Sequence, residues 1–122
     1  MFDHIGIGVS NLTASKAFFL DALAPLGVGV VMEFPDTVGL GRDRKPYFWL
    51  AAAEAEPAPL HIAFAAEDRS QVDAFYRAAL AAGGKDNGPP GLRPHYHANY
   101  YAAFVIGPDG HNVEAVCHRP AG

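Results

Sequence analysis

Apolar and polar residues alternate with period two over residues 3–9 (DHIGIGV) and again over 60–65 (LHIAFA), as in a strand with one buried face. Each run ends in a polar break, Ser10-Asn11 or Glu67-Asp68. Thr13 and Ser70 then stand where a hydroxyl can accept from a free backbone N–H at a helix start. Beyond the second break, Val72, Phe75, Tyr76, Ala79 and Leu80 recur at helical spacing and form one apolar stripe. Ser15, Phe18, Phe19, Ala22 and Leu23 occupy the same offsets beyond the first. Gly27 and the pair Gly83-Gly84 supply the left-handed residue that stops each helix. Strands are expected next at 28–34, 37–41 and 47–52, and in the second half at 84–87, 98–106 and 112–118.

These two patterns are one pattern repeated. A shift of 57 residues, the separation of His4 from His61, superposes His4-Ile5-Gly6 on His61-Ile62-Ala63 without a gap. The same shift carries Thr13 onto Ser70, Ala17-Phe18-Phe19 onto Ala74-Phe75-Tyr76, Leu23 onto Leu80 and Gly27 onto Gly84. Each half reads βαβββ, so the fold class is α+β, one domain over 1–122 built from a first module (1–56) and a second (57–122). EAEPAP at 54–59 is the expected linker, and Arg42 to Lys45 a charged hairpin tip. Pro108-Asp109-Gly110 suits a type I turn between the last two strands. Residues 85–97 (KDNGPPGLRPHYH) read as a long loop over a pocket.

Composition narrows the partners. In 122 residues, 13 acidic side chains outnumber 9 Lys and Arg, giving a net charge of −4, with no basic run. A nucleic-acid or anionic-membrane partner is therefore not expected, which leaves a small molecule or another subunit. The single cysteine, Cys117, makes no intrachain disulfide and no CxxC zinc site, and is read as a small core residue. The opening MFDHIGIGVSNL has no basic segment followed by an apolar one, and the expected compartment is the cytoplasm.

Six histidines raise the question of metal, and the repeat sorts them. His4 and His61 hold the same place on equivalent strands, so their imidazoles can converge. Glu114 lies in the last strand on the face opposite Val113, Ala115 and Cys117, in a segment too apolar for a solvated edge. A buried carboxylate needs a partner, and a divalent cation or an ion pair supplies one. Two imidazoles and a carboxylate leave open coordination positions for exchangeable water or substrate. His111, beside a turn, and His118, near the C-terminus, are expected to be exposed. Tyr100 and Tyr101 should point oppositely.

The paired βαβββ modules, a His opening each half and the closing Pro108-Asp109-Gly110-His111-Asn112-Val113-Glu114 together resemble the vicinal oxygen chelate superfamily. That group includes glyoxalase I, extradiol dioxygenases, fosfomycin-resistance thiol transferases and bleomycin-resistance proteins. The resemblance implies a curved, cup-shaped, mostly antiparallel sheet flanked by helices, around one divalent metal (iron, manganese, zinc or nickel). It assigns His4, His61 and Glu114 as ligands of that metal, which a substrate chelates through neighbouring oxygens in lyase, dioxygenase or thiol-transferase chemistry. In glyoxalase I-like members a further carboxylate ligand stands on the last strand of the first module. Here that strand, Tyr47-Phe48-Trp49-Leu50-Ala51, has none. The fosfomycin-resistance proteins carry a Thr where this chain has Gly6.

Arg93, His97 and Tyr100, where the Pro- and Gly-rich segment re-enters the sheet, are expected to bind substrate without touching the metal. A homodimer is expected, because small modules with open sheet edges need cover. The sequence leaves open whether the two halves of one chain build the cup or halves exchange between chains. A non-catalytic protein that sequesters an aromatic or hydrophobic ligand is the alternative to an enzyme.

Overall fold

The computed structural model describes residues 2–121, which form two βαβββ units in tandem. The first runs β1 (Ile5–Val9), α1 (Leu12–Leu23), β2 (Gly29–Glu33), β3 (Thr37–Arg42) and β4 (Lys45–Ala52). The second runs β5 (His61–Ala65), α2 (Arg69–Ala81), β6 (Lys85–Leu92), β7 (Tyr101–Ile106) and β8 (Asn112–Cys117). Each makes a four-stranded mixed sheet, ordered β1-β4-β3-β2 and β5-β8-β7-β6. In both, the first strand pairs in parallel with the last and the other neighbours are antiparallel. No helix of the described residues is long and apolar enough to cross a membrane.

Both helices are capped two residues earlier than the hydroxyl residues indicate. Asn11 and Asp68, in extended backbone just outside α1 and α2, accept from the N–H groups of Ala14 and Gln71. An N-cap must stand outside the helix to reach back to its free donors, and Thr13 and Ser70 already lie inside. Ser70 instead donates to Asp68, and that bond, with the Gln71 N–H, holds the Asp68 carboxyl below its ordinary range. α1 runs on through a 3-10 turn at Ala24–Leu26 and stops at Gly27, φ +80°; Gly83, φ +99°, follows α2.

The segment expected to be a loop is largely strand. β6 extends to Leu92 although it contains Pro89 and Pro90, because it is an edge strand bonded only to β7. A proline lacking its N–H costs little there. The strand pairs Gly88 with Phe104 and Gly91 with Ala102, so the prolines fall in a bulge between paired positions. The irregular part is only the connection before β7, which begins at Tyr101 rather than 98.

The Pro108-Asp109-Gly110 turn also departs from type I. Asp109 has φ +61° and Gly110 φ +77°, whereas type I keeps both central residues at negative φ. The Asp109 carboxylate accepts from the backbone N–H and the hydroxyl of Ser10, at the end of β1. This tie between the modules holds the turn in its left-handed conformation.

The modules share one core. Ile7, Val9, Val38, Leu40, Phe48 and Leu50 of the first sheet join Ile62, Val105, Val113, Ala115 and Cys117 of the second around α1 and α2. Phe48 is the hinge of the aromatic contacts, edge-on to Phe19 at 5.0 Å and to Phe64 at 5.2 Å. Phe18 of α1 crosses into the second module, where a Cβ at Gly107 would stand 2.8 Å from its ring and one at Gly84 3.0 Å. Those two glycines make the space for that ring. Cys117 is fully buried, as its apolar surroundings predict.

Candidate functional site

Burying one face of each sheet leaves the other open. On the second sheet, the pairing of Ala63 and Phe104 with Glu114 puts His61, Phe104 and Glu114 on the face opposite Val113, Ala115 and Cys117. His61 Nε2 lies 2.7 Å from Glu114 Oε1, and the Tyr100 hydroxyl donates to Oε2. Glu114 is 1% exposed, while the His61 side chain is 55% exposed. The carboxylate is thus sunk into the sheet with both oxygens engaged, and the imidazole beside it opens to solvent.

The bond from Tyr100 to Glu114 makes Tyr100 a hydrogen-bond partner of the carboxylate that the resemblance assigns to the metal, beside its expected place at the substrate. Burial, and then the hydrogen bond to Glu114, push its phenol up to about 12. It remains a proton donor at any physiological pH. Tyr101 points the other way and donates to Asp73 of α2 at 2.6 Å.

Arg93 stands on the same face. Its guanidinium lies 5.3 Å over the Phe104 ring and donates to the carbonyls of Gly91 and Pro89, both at 2.8 Å. Phe104 in turn is 6.1 Å from the His61 ring. The cation is therefore fixed beside the pair rather than free to sweep solvent. His97 accepts from the Asn99 N–H through Nδ1 and packs edge-on to His118 at 5.5 Å. Tyr96, Tyr100 and His118 complete an aromatic rim, and His118 is exposed as expected.

His4 does not join this group. Its Nδ1 lies 2.8 Å from Asp3 Oδ1, which also accepts from Lys45 at 2.7 Å. The Lys45 bond, with that of His4, lowers the Asp3 carboxyl. Among the described residues, no three His, Cys, Asp or Glu side chains converge as metal donors. The donor set this chain assembles is one imidazole and one carboxylate, with His4 on a separate edge.

The repeat shows what occupies the matching place in the first module. Gly6, the counterpart of Ala63, pairs with Trp49 on β4, so Trp49 stands where Glu114 stands in the second. Its ring lies against Gly39, where a Cβ would be 2.9 Å away, and stacks with Phe34 at 6.4 Å and 22°. Phe34 is 56% exposed and Met32 47%. Period-two reading of Tyr47 to Ala51 already separates Trp49 from the core residues Phe48 and Leu50. Phe34, just beyond β2, has no such signal.

His111 corrects another expectation. It is 1% exposed rather than open to solvent, because its Nδ1 accepts from the Leu60 N–H at 2.9 Å and draws the ring under the linker.

A family model for the Glyoxalase/Bleomycin resistance protein/Dioxygenase superfamily matches residues 1–115, and the chain belongs to that superfamily. Among solved structures, it is similar to a glyoxalase/bleomycin resistance protein from Albidiferax ferrireducens T118, with 31% identity and a TM-score of 0.82 over 98% of this chain and 99% of that one. A glyoxalase/bleomycin resistance protein/dioxygenase family enzyme from Burkholderia phytofirmans PsJN shares the fold at 18% identity and a TM-score of 0.74, covering 96% and 98% of the two chains. The oxidase ChaP-H2 does so at 19% and 0.71, covering 100% and 95%. No curated protein matches.

Proposed function

We propose that the protein is a metal-dependent enzyme of the glyoxalase/dioxygenase type that acts on a small, oxygen-bearing substrate. One observation carries the reading: a carboxylate 1% exposed, 2.7 Å from an imidazole nitrogen, on the open face of a sheet. The donor chemistry fits a divalent cation, since a carboxylate oxygen and a neutral imidazole nitrogen are ligands of zinc, manganese and iron(II) alike. His61 and Glu114 would hold the ion, with Tyr100 fixing the second carboxylate oxygen. Bound there, the metal supplies Lewis acidity to a chelating substrate oxygen. Arg93, clamped over Phe104, would offer its remaining N–H groups to an anionic oxygen of the substrate, and His97 would meet it at the rim.

His4 completes the set from a second copy of the chain. β1 and β5, which His4 and His61 precede and open, are both edge strands, so each leaves backbone groups unpaired in one chain. Pairing β1 of one copy with β5 of another would place the two repeat-related histidines side by side in a homodimer. The test mixes two variants, His4→Ala and His61→Ala, refolded together. If sites form between copies, about a quarter of the metal-binding capacity returns, because half the dimers are mixed and each mixed dimer holds one intact site. Return of none, or a monomer by light scattering at high micromolar concentration, refutes the shared site. Elemental analysis after purification without chelator, with Glu114→Ala as control, tests the metal itself.

The Trp49–Phe34 stack favours a second reading, in which the chain sequesters a planar apolar ligand without turnover. Trp49 is the chain's one tryptophan, so quenching of its fluorescence by an aromatic ligand in metal-stripped protein reports that binding directly.

A further inference from the structure

We infer that His111 is a positioning residue: its buried imidazole pins the chain at Leu60 and so sets where His61 meets Glu114. The inference rests on the reading of His61 and Glu114 as one site and adds the device that assembles it.

Residues 53–60 form no helix or strand, and His61 is the first residue of β5. A linker that enters a parallel edge strand has to be told where to begin pairing, because a slip of one residue would turn His61 to the core face. Two bonds to Leu60 supply that instruction. Its carbonyl accepts from the Asn112 N–H at 2.8 Å, and its N–H donates to His111 Nδ1 at 2.9 Å. Leu60 is thus held on both sides by consecutive residues, and the next step along each chain is the pair His61 and Asn112. Two residues further, Ala63 faces Glu114.

The choice of a histidine is informative. The ring is 1% exposed, and among the described residues no group lies within hydrogen-bonding reach of its Nε2. Because Nδ1 accepts, the proton must reside on Nε2, and that N–H is buried without a protein partner. An apolar side chain would fill the space without this penalty, but it would take away the protein acceptor that ties the Leu60 N–H to the turn before β8. The one bond the imidazole makes is the one that fixes Leu60.

His111→Asn and His111→Gln separate this role from space filling. Asparagine keeps an acceptor near the Nδ1 position but leaves a larger void, whereas glutamine fills more space and carries its acceptor one bond too far. Positioning predicts that the Asn variant retains slow exchange of the Leu60 amide, the wild-type chemical shifts of the His61 ring and Co2+ affinity within about threefold of wild type. The Gln variant should lose at least about tenfold in amide protection and in Co2+ affinity. Equal behaviour of the two variants, or glutamine outperforming asparagine, overturns the inference. If neither folds, the wild-type imidazole still decides: the tautomer protonated on Nε2 supports positioning, and the one protonated on Nδ1 refutes it. If wild-type protein binds no Co2+, the metal reading fails, while the exchange and His61 shifts still judge His111.

Discussion

Replacing Tyr100 by Phe keeps the ring and removes only the hydroxyl that donates to Glu114. With Glu114 1% exposed, water has little access to the freed oxygen, so the substitution costs what a charge-assisted bond contributes, about 2 kcal/mol. In a domain of this size, that lowers the melting temperature by about 6–10 °C. Metal affinity should fall about 10- to 100-fold, because an unanchored carboxylate is a poorer ligand. The effect has a pH signature. The Tyr100 phenol is raised from 10.0 to about 12 in the folded protein, so the folded state keeps a proton the unfolded state loses, and stability falls with pH across that interval. The advantage of wild type over Tyr100→Phe is therefore full below pH 10 and vanishes as pH rises towards 12. Urea denaturation at pH 8 and pH 11.5, calorimetric Co2+ titration and the ultraviolet tyrosinate titration read these quantities. A loss below about 0.5 kcal/mol at pH 8, or a phenol that titrates with the exposed tyrosines, would refute the account of how Glu114 is held.

Phe18→Ala should cost about 3–5 kcal/mol in chemical denaturation, and Gly107→Ala about 1–3 kcal/mol through overpacking. The double variant should be more stable than the sum implies, since the new methyl enters the space the ring leaves; strict additivity would show that the ring does not set the joint. Asp109→Ala should destabilise by about 2 kcal/mol, and Asp109→Asn by less, because asparagine tolerates positive φ and keeps an acceptor for Ser10. Equal losses in thermal melts would remove the Ser10 tie from the explanation.

The repeat made most of the architecture legible. One offset linking His4 to His61 and Phe18 to Phe75 is enough to place two helices and the strands before them, because identical periodicities must bury equivalent faces. Glu114 was legible for a related reason, as a lone carboxylate among residues that belong inside. The Pro-rich strand was not: Pro89 and Pro90 exclude a central strand, and only strand order reveals that β6 is an edge. His111 was hidden because its partner is the main chain of Leu60, and a backbone N–H has no identity in a sequence. The Tyr100 bond was missed because the connection before β7 is irregular, and no period there relates Tyr100 to a residue on the neighbouring strand.

The prolines of β6 have a bearing on how copies of this chain meet. Without N–H groups at 89 and 90, that border cannot serve as a template for an incoming strand, and the bulge breaks the repeat of acceptors an intruder would need. The borders at β1 and β5 have no proline and remain able to bond. A strand arriving from another copy would therefore meet refusal along β6, and on the second sheet would find its bonding partners along the side where His61 stands. The same refusal would work against open-ended stacking of copies along β6.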